Sequence, residues 1–365
     1  MKRLAVLISL SGEGGVERMV LNLVEAFAAR PDLAVDLVLI REESRHLRDL
    51  PAAVNVVRLG VRHSALAVPP LAAYLRRARP DALLAAKDRA GRAALLARRL
   101  TGVPTRVVVR IGTTLSEALK GKGAVQRWLR YFPIRRLYGW ADGVVAISKG
   151  VADDVAAIAG LPAERIHVIR NPVLTPRLAE LGAQPLAHPW FEDRTVPVVM
   201  GMGRLTRQKD FPTLIRAFAR LRRERPARLL ILGEGRDRQA LLDLAALEGV
   251  ATDVALPGFQ ANPFPWLARA RVFVLSSAWE GFGNVLAEAM ALGTPVVSTD
   301  CRSGPRELLA DGRYGPLVPV GDAAAMAAAI GTVLQRPLPR EVLMAAVRDY
   351  DVELSARRYL EVLGL

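Results

Sequence analysis

Two carboxylates stand eight positions apart in a segment whose pattern predicts a strand, a glycine-containing turn and a helix. Residues 276–288 read S-S-A-W-E-G-F-G-N-V-L-A-E, which places Glu280 in the turn and Glu288 in the helix, with Asn284 as a suitable N-cap. Carboxylates accept hydrogen bonds from sugar or ribose hydroxyl groups, and a helix N-terminus attracts phosphate. The segment suits a ligand that combines a sugar with a phosphate, although a plain strand–turn–helix with two solvated glutamates would show the same pattern.

Two cationic side chains follow another predicted strand. Residues 201–211 read G-M-G-R-L-T-R-Q-K-D-F, so Arg204 and Lys209 lie between the end of a strand and the start of a helix. Arginine binds phosphate oxygens through two N–H groups at once, and lysine acts as a compact point charge. The pair predicts a diphosphate site, against the alternative of a surface loop with ordinary basic residues.

A third candidate is the glycine-rich turn after the first predicted strand. Residues 11–18 read S-G-E-G-G-V-E-R, and glycines at such a turn let the backbone approach a phosphate closely. The spacing matches neither the dinucleotide pattern G-x-G-x-x-G nor the Lys-Ser/Thr ending of a P-loop. The turn adds to the other two motifs but does not define a ligand by itself.

Short apolar runs alternate with stretches of helical period between these motifs. Predicted strands cover residues 4–10, 35–40, 54–59, 82–85, 106–109, 144–147, 166–169, 196–200, 228–232, 272–275 and 295–298. Helices are expected near 211–224, 236–248 and 284–292. The alternation predicts α/β units with parallel sheets, and ligands bind beyond the carboxyl ends of such strands. Five prolines between residues 171 and 197 indicate a connector, so we expect two sheets that face one cleft.

Length and composition allow two domains, since 365 residues with 51% hydrophobic content can form two cores. We expect an N-terminal domain over 1–180, a C-terminal domain over 181–345, and a final helix over 346–365 that packs back towards the first domain. The single cysteine, Cys301, excludes an internal disulfide and, with only four histidines, argues against a Cys/His zinc site. The start of the chain fits a buried strand better than a signal peptide, and no apolar run predicts a membrane span.

Positive charge is concentrated in the first half of the chain. Residues 1–180 hold 29 Lys and Arg against 16 Asp and Glu, which gives +13 of the formal net charge of +15. This favours an anionic partner, although ordinary solvated faces in an arginine-rich protein would give the same balance, and no nucleic-acid-binding motif is present. Residues 120–140 place four large apolar residues on one helical face beside basic residues, as in an interfacial membrane helix or a core helix with a basic outer side. These four are Val125, Trp128, Leu129 and Phe132, and Pro133 is expected to shorten the helix.

The three motifs together resemble the retaining glycosyltransferases of family four. Their GT-B fold has two facing Rossmann-like α/β domains with parallel sheets and a cleft between them. The resemblance spans nearly the whole chain and rests on the E-x7-E pair, the G-R-L-x-x-Q-K-D-F run at 203–211 and the early Gly-Gly. Residues 298–308, S-T-D-C-R-S-G-P-R-E-L, are similar to members that extend polyprenyl-diphosphate-linked glycans or surface polysaccharides of the cell envelope.

The resemblance implies a role for each matching residue. Arg204 and Lys209 would hold the donor diphosphate, Glu280 would meet the donor sugar, and Glu288 would bind the ribose. Val285 and Leu286 would offer amides to the phosphates. The other donor-binding residues would be Gly14, Gly15, Gly203, Gly233, Glu234, Phe259, Gly281, Phe282 and Gly283. Many relatives also carry a histidine near the reacting carbon, whereas residues 110–114 here read R-I-G-T-T.

The activity implied by the resemblance is transfer of a hexose or N-acetylhexosamine, with retention, from a nucleoside-diphosphate sugar to a lipid-linked or surface-glycan acceptor. No metal and no cofactor would be needed. The enzyme is expected in the cytoplasm, with its basic N-terminal domain on the anionic inner face of the cytoplasmic membrane. A nucleotide-sugar 2-epimerase of the same fold and a non-catalytic nucleotide-sugar-binding protein are the alternatives. The donor sugar and the nucleobase stay open.

Overall fold

The computed structural model describes residues 1–10, 15–42, 47, 50–193 and 195–365. These residues form two compact units. The first contains residues 1–172 together with 350–365, and the second contains residues 173–349. The chain therefore leaves the first unit once and returns to it for its last segment.

The first unit is built on one parallel sheet. Its strands are β1 (Lys2–Leu10), β2 (Leu33–Glu42), β3 (Val54–Arg58), β4 (Ala82–Ala85), β5 (Arg106–Ile111), β6 (Gly143–Ala146) and β7 (Ile166–Val168). The helices are α1 (Gly15–Ala28), α2 (Val68–Ala78), α3 (Asp88–Thr101), α4 (Leu115–Ala118), α5 (Ala124–Leu137) and α6 (Lys149–Ala159). The strand order is β3-β2-β1-β4-β5-β6-β7, and residues 4–8 of β1 are fully buried, as expected of a parallel strand covered on both faces.

The second unit contains a second parallel sheet in the order β10-β9-β8-β11-β12-β13. Its strands are β8 (Val198–Met202), β9 (Arg228–Leu232), β10 (Val254–Gly258), β11 (Val272–Leu275), β12 (Val296–Thr299) and β13 (Leu317–Val318). Its helices are α7 (Arg177–Ala183), α8 (Pro189–Glu192), α9 (Phe211–Glu224), α10 (Arg238–Leu247), α11 (Phe264–Arg269), α12 (Asn284–Ala291), α13 (Pro305–Leu308), α14 (Ala323–Gln335) and α15 (Arg340–Ala346). Both sheets reverse their strand order once, as doubly wound sheets do.

Periodicity located the central elements and both edge strands of the first sheet, β3 and β7, but not the edge strands of the second. Helix α9 has its predicted bounds because its apolar residues recur at helical spacing and a proline stands in the first turn. The edge strands β10 and β13 were not predicted, since β10 contains Pro257, which only an edge strand tolerates, and β13 has two residues. The segment 171–197 is not an irregular connector: it contains α7, which packs against α11, so the second unit begins at residue 173 rather than at 181.

Helix α5 continues through Pro133, contrary to the expected shortening. A proline removes the hydrogen bond to the carbonyl four residues earlier, here that of Leu129. Residues 121–129 are exposed, so water can solvate this carbonyl, while Ile134 beyond the proline is fully buried and holds the helix to the unit. Among the described residues, no helix is long and apolar enough to cross a membrane.

The last helix, α16 (Val352–Leu363), completes the core of the first unit. The guanidinium of Arg110, fully buried at the end of β5, donates from Nε to the hydroxyl of Tyr359 at 3.1 Å and from Nη2 to Oδ1 of Asn171 at 2.6 Å. The Arg110 side chain thus joins β5, the residues that precede the second unit and α16. A buried charge needs such partners because its desolvation is costly.

We expect Tyr359→Phe to lower the free energy of unfolding by about 1–3 kcal/mol, because it removes a hydrogen-bond acceptor from a buried guanidinium. Urea unfolding followed by circular dichroism measures the change. Tyr314→Phe is the control, since the Tyr314 hydroxyl makes no hydrogen bond within the described part of the chain. Equal stabilities for the two variants would contradict this role of Tyr359.

Candidate active site

The order of the second sheet reverses between β8 and β11, and the loops that follow these strands lie together at its carboxyl edge. The loop after β8, residues 203–210, carries Arg204 and Lys209, and the loop after β11, residues 276–283, carries Glu280. In doubly wound sheets this reversal opens the crevice in which ligands bind. The three predicted catalytic residues therefore lie at the position where the sheet topology places a ligand.

Lys209 and Glu280 form an ion pair, with Nζ and Oε1 2.5 Å apart. The side chains are only 16% and 10% exposed, so water screens the attraction weakly. Ser277 donates its hydroxyl to the same carboxylate oxygen at 2.7 Å. The carboxylate is thus held in one orientation before any ligand binds.

Backbone and amide hydrogen bonds join the two loops into one structure. The N–H of Ala278 donates to the carbonyl of Gln208 at 2.8 Å, and the side-chain amide of Gln208 donates to the carbonyl of Trp279 at 3.1 Å. The hydroxyl of Ser276 donates to the carbonyl of Lys209 at 2.7 Å. Neither Gln208 nor the serines were among the predicted site residues, although all lie inside the two motifs.

Close backbone contacts extend this edge to the loops after β9 and β10. The N–H of Gly203 donates to the carbonyl of Leu232, and that of Gly233 to the carbonyl of Gly258, both at 2.9 Å. A Cβ atom on Gly233 would lie 2.0 Å from the carbonyl oxygen of Gly203, and Gly233 has φ of 132°. Only glycine fits there. The neighbouring Glu234 and Phe259, predicted to bind the donor, are exposed at the same edge.

The start of α12 differs from the expected phosphate site in two respects. Gly283, with φ of 95°, is the N-cap, so Asn284 is the first residue of the helix rather than its cap. The N–H of Leu286 donates to the carbonyl of Gly283 at 2.9 Å, so this amide is already engaged, whereas Val285 lies one residue earlier in the first turn. Glu288 is 1% exposed, so only a small part of its side chain is accessible to a ligand.

The remaining predicted donor-binding features of the second unit are Arg204 and the glycine-containing turn after β11, residues 281–283. Arg204 is exposed, lies in the same loop as Lys209 and makes no ion pair with any described residue. Gly281 and Phe282 are buried, and a Cβ atom on Gly304 would lie 2.2 Å from the Phe282 carbonyl oxygen. The segment 298–308 singled out in the sequence therefore packs on the turn that follows Glu280.

The first unit has a charged pair at its own sheet reversal, between β1 and β4. Lys87, two residues after β4, donates to the carbonyl of Ser9 at 2.6 Å and to Oε1 of Glu17 at 2.9 Å. Glu17 is buried in the first turn of α1. Lys87 thus binds residues on both sides of the glycine-rich turn, of which Gly14 lies outside the described residues and Gly15 opens α1. Sequence reasoning missed Lys87, which stood directly after a predicted strand.

The described histidines, His63, His167 and His188, lie outside the loops that carry Arg204, Lys209 and Glu280. Arg110 is buried and bonded to Tyr359 and Asn171. His188 caps α8 by accepting the N–H of Trp190 at 3.2 Å, which agrees with a structural role. His46 lies outside the described residues.

Potential metal ligands do not cluster in the part of the chain that the structure describes: no group of three or more His, Cys, Asp or Glu side chains could hold an ion there. The sequence has one Asp-x-Asp pair, Asp349 and Asp351. Asp351 caps α16 by accepting the N–H of Leu354 at 3.0 Å. The Asp351 carboxylate thus has a structural partner at the start of α16.

The two parallel α/β units, with the charged loops at the reversal of the second sheet, have the architecture of a GT-B glycosyltransferase. Residues 196–336 match the family described as glycosyl transferases group 1, and residues 14–172 match the glycosyl transferase 4-like domain. The chain belongs to this family and is a glycosyltransferase. The predicted family, fold class and enzyme class are confirmed.

Individual relatives cover nearly the whole chain. The lipopolysaccharide core biosynthesis glycosyltransferase LpsE of Rhizobium meliloti is 33% identical over 362 residues, which is 96% of each chain. The N-acetylgalactosamine-N,N'-diacetylbacillosaminyl-diphospho-undecaprenol 4-alpha-N-acetylgalactosaminyltransferase of Campylobacter jejuni is 29% identical over 344 residues, 92% of this chain and 91% of that one. The crystal structure of Anabaena HepE in complex with UDP-glucose superposes with a TM-score of 0.79 at 21% identity over all of both chains, which shows a shared fold.

Cys301 lies buried beside this site, after β12. Burial, with the nearby charge of Glu280, raises the pKa of its thiol to about 12. We expect iodoacetamide to label the native protein about a thousandfold more slowly than the unfolded chain at about pH 8, because almost no thiolate forms in the folded state. Mass spectrometry reads one site, since Cys301 is the single cysteine. Labelling rates within tenfold of each other would contradict the burial.

Proposed function

We propose that the protein transfers a hexose or N-acetylhexosamine from a nucleoside-diphosphate sugar to a lipid-linked or surface-glycan acceptor, with retention and without a metal ion. The observation that carries this proposal is the Lys209–Glu280 ion pair at the reversal of the second sheet, with Arg204 exposed in the same loop as Lys209. A donor of this class needs cations at its diphosphate and acceptors for its sugar hydroxyls. The site supplies both within one pair of loops.

The cations would act on the leaving group. Negative charge develops on the diphosphate as the bond to the anomeric carbon breaks, and fixed cations stabilise that charge in the transition state more than in the ground state. Arg204 offers a bidentate guanidinium and Lys209 a point charge that is weakly screened. These two residues would take the place of a metal ion.

Retention follows if the acceptor attacks from the face that the diphosphate leaves. The departing phosphate oxygen can then take the proton of the acceptor hydroxyl, so that one bond to the anomeric carbon forms as the other breaks. No protein general base is required by this route. Glu280, fixed by Ser277 and Lys209, would hold the sugar through its hydroxyls instead.

The acceptor class is supported by the names of the relatives. LpsE is described as a lipopolysaccharide core enzyme, and the Campylobacter enzyme as acting on a diphospho-undecaprenol-linked sugar. A nucleotide-sugar donor is supported by the HepE structure with UDP-glucose. An acceptor of this kind would place the protein in the cytoplasm at the inner membrane surface, in keeping with the +13 charge of residues 1–180.

The proposal predicts different kinetic effects for the four charged residues. Arg204→Ala and Lys209→Ala should lower kcat on the order of a hundredfold, more than they raise the donor KM, because their help is greatest in the transition state. Glu288→Ala should mainly weaken binding of both donor and free nucleotide, and Glu280→Ala should affect the donor but not the nucleotide. Because Lys209 and Glu280 are in contact, the double variant should cost clearly less than the two single losses combined.

Donor kinetics and nucleotide dissociation constants for all variants measure these effects. Arg207→Ala is the matched control, since Arg207 is an exposed cation in the same loop, and its kinetics should stay close to those of the parent. Glu280→Gln keeps the shape of the side chain if the alanine variant folds poorly. Parent-like turnover and nucleotide binding in all four variants would place the active site elsewhere.

Activity should survive EDTA, because two cations replace the metal in the proposed mechanism. The measurement is initial transfer rate before and after dialysis against the chelator. Complete loss that magnesium or manganese restores would show that a metal ion takes part.

A further inference from the structure

Helix α5 exposes four large apolar side chains along one face. The exposed fractions are 71% for Val125, 56% for Trp128, 59% for Leu129 and 46% for Phe132, and the rings of Trp128 and Phe132 stack 4.9 Å apart. The spacing i, i+3, i+4 and i+7 places them side by side, and they are here named the α5 stripe. A contiguous apolar patch on the surface often marks an interaction site, whereas scattered single apolar residues do not.

The opposite side of α5 packs on the rest of the first unit, so the stripe is not the side that the helix buries in the core. Ile134 is fully buried, and just beyond the helix the hydroxyl of Tyr138 donates to Asp88 at 2.9 Å. Arg130 lies 3.5 Å from the other carboxylate oxygen of Asp88. The inner side therefore has its own apolar and polar partners, and the outer stripe is left to solvent.

Cations border the stripe with little opposing charge. Residues 115–140 contain a single acidic residue, Glu117, which pairs with Lys120 at 3.5 Å. Arg136 continues the stripe by four residues, and Arg127 lies on the exposed first half of the same helix. Both are exposed and make no ion pair with a described residue. Apolar and aromatic side chains together with nearby cations suit an anionic lipid surface. Such a helix lies parallel to the membrane plane, with its apolar face buried among the lipids.

We propose that the α5 stripe docks the protein on an anionic lipid surface. A second copy of the chain is a poorer occupant, because pairing two such faces would bring like charges together. The inference rests on the proposed function only in that a lipid-linked acceptor gives the docking its purpose. The docking itself needs no donor, no acceptor and no turnover.

Co-sedimentation with vesicles tests the proposal, using equimolar phosphatidylglycerol and phosphatidylcholine against phosphatidylcholine alone. We expect binding to the anionic vesicles that weakens with added salt. Leu129→Ser should reduce it roughly tenfold, whereas Leu247→Ser, an exposed leucine on α10 of the second unit, should not. Arg127→Gln with Arg136→Gln should reduce it roughly thirtyfold, and the control pair Arg220→Gln with Arg223→Gln, exposed on α9, should have little effect.

Insertion is read directly from Trp128. Bromine-labelled lipid should quench part of the tryptophan fluorescence of the parent, and Trp128→Phe should remove that part while it keeps binding. Equal binding to both vesicle types, or Leu129→Ser and Leu247→Ser variants that bind alike, would overturn the proposal. So would dimers in lipid-free solution that Leu129→Ser dissociates, because the stripe would then join two copies.

Nucleotide binding separates this inference from the proposed function. Leu129→Ser and the arginine pair should bind free UDP or GDP as the parent does, since α5 belongs to the first unit and the predicted donor residues other than Gly14 and Gly15 to the second. A parent that binds anionic vesicles but no nucleotide would count against the proposed function alone. A parent that binds nucleotide but no vesicle would count against the docking surface alone.

Discussion

The ammonium of Lys209 and the carboxylate of Glu280 meet 2.5 Å apart in a place that water hardly reaches. Each charge would be costly there without the other. The pair therefore constrains both loops that carry it. Ser277 adds a hydrogen bond to Glu280, and Gln208 adds one between the two loops. Burial is the main reason that the pKa of the Cys301 thiol is raised, and the charge of Glu280 adds to that shift.

A second constraint is how closely the backbone segments approach each other. Gly203, Gly233 and Gly258 bring three successive loops into direct contact beyond the ends of their strands. A side chain at Gly203 would collide with Lys209, and one at Gly233 would collide with the backbone of Gly203. Charged groups then project from fixed positions, which is the condition for stabilising charge that appears only during a reaction.

The motifs and the central strands could be predicted because they depend on local periodicity and on residue types that lie near each other in sequence. The contact between Lys209 and Glu280 could not, since the two residues are 71 positions apart and only the adjacency of β8 and β11 brings them together. Lys87 was missed for the same reason, as its partners Ser9 and Glu17 belong to a distant strand and helix. The capping of α12 by Gly283 depends on a positive φ that no spacing reveals, and the burial of Arg110 depends on a helix from the far end of the chain.

The return of α16 to the first unit has a consequence for how the chain reaches its structure during synthesis. Residues 350–365 emerge from the ribosome only after the whole second unit, yet Val352, Tyr359 and Leu360 belong to the same core as β1 and α1. The second unit is one uninterrupted stretch and can close as soon as residue 349 is available. The core of the first unit, although its sheet is made first, is completed only by α16, and the Tyr359 hydroxyl that accepts from Arg110 is synthesised after the whole second unit.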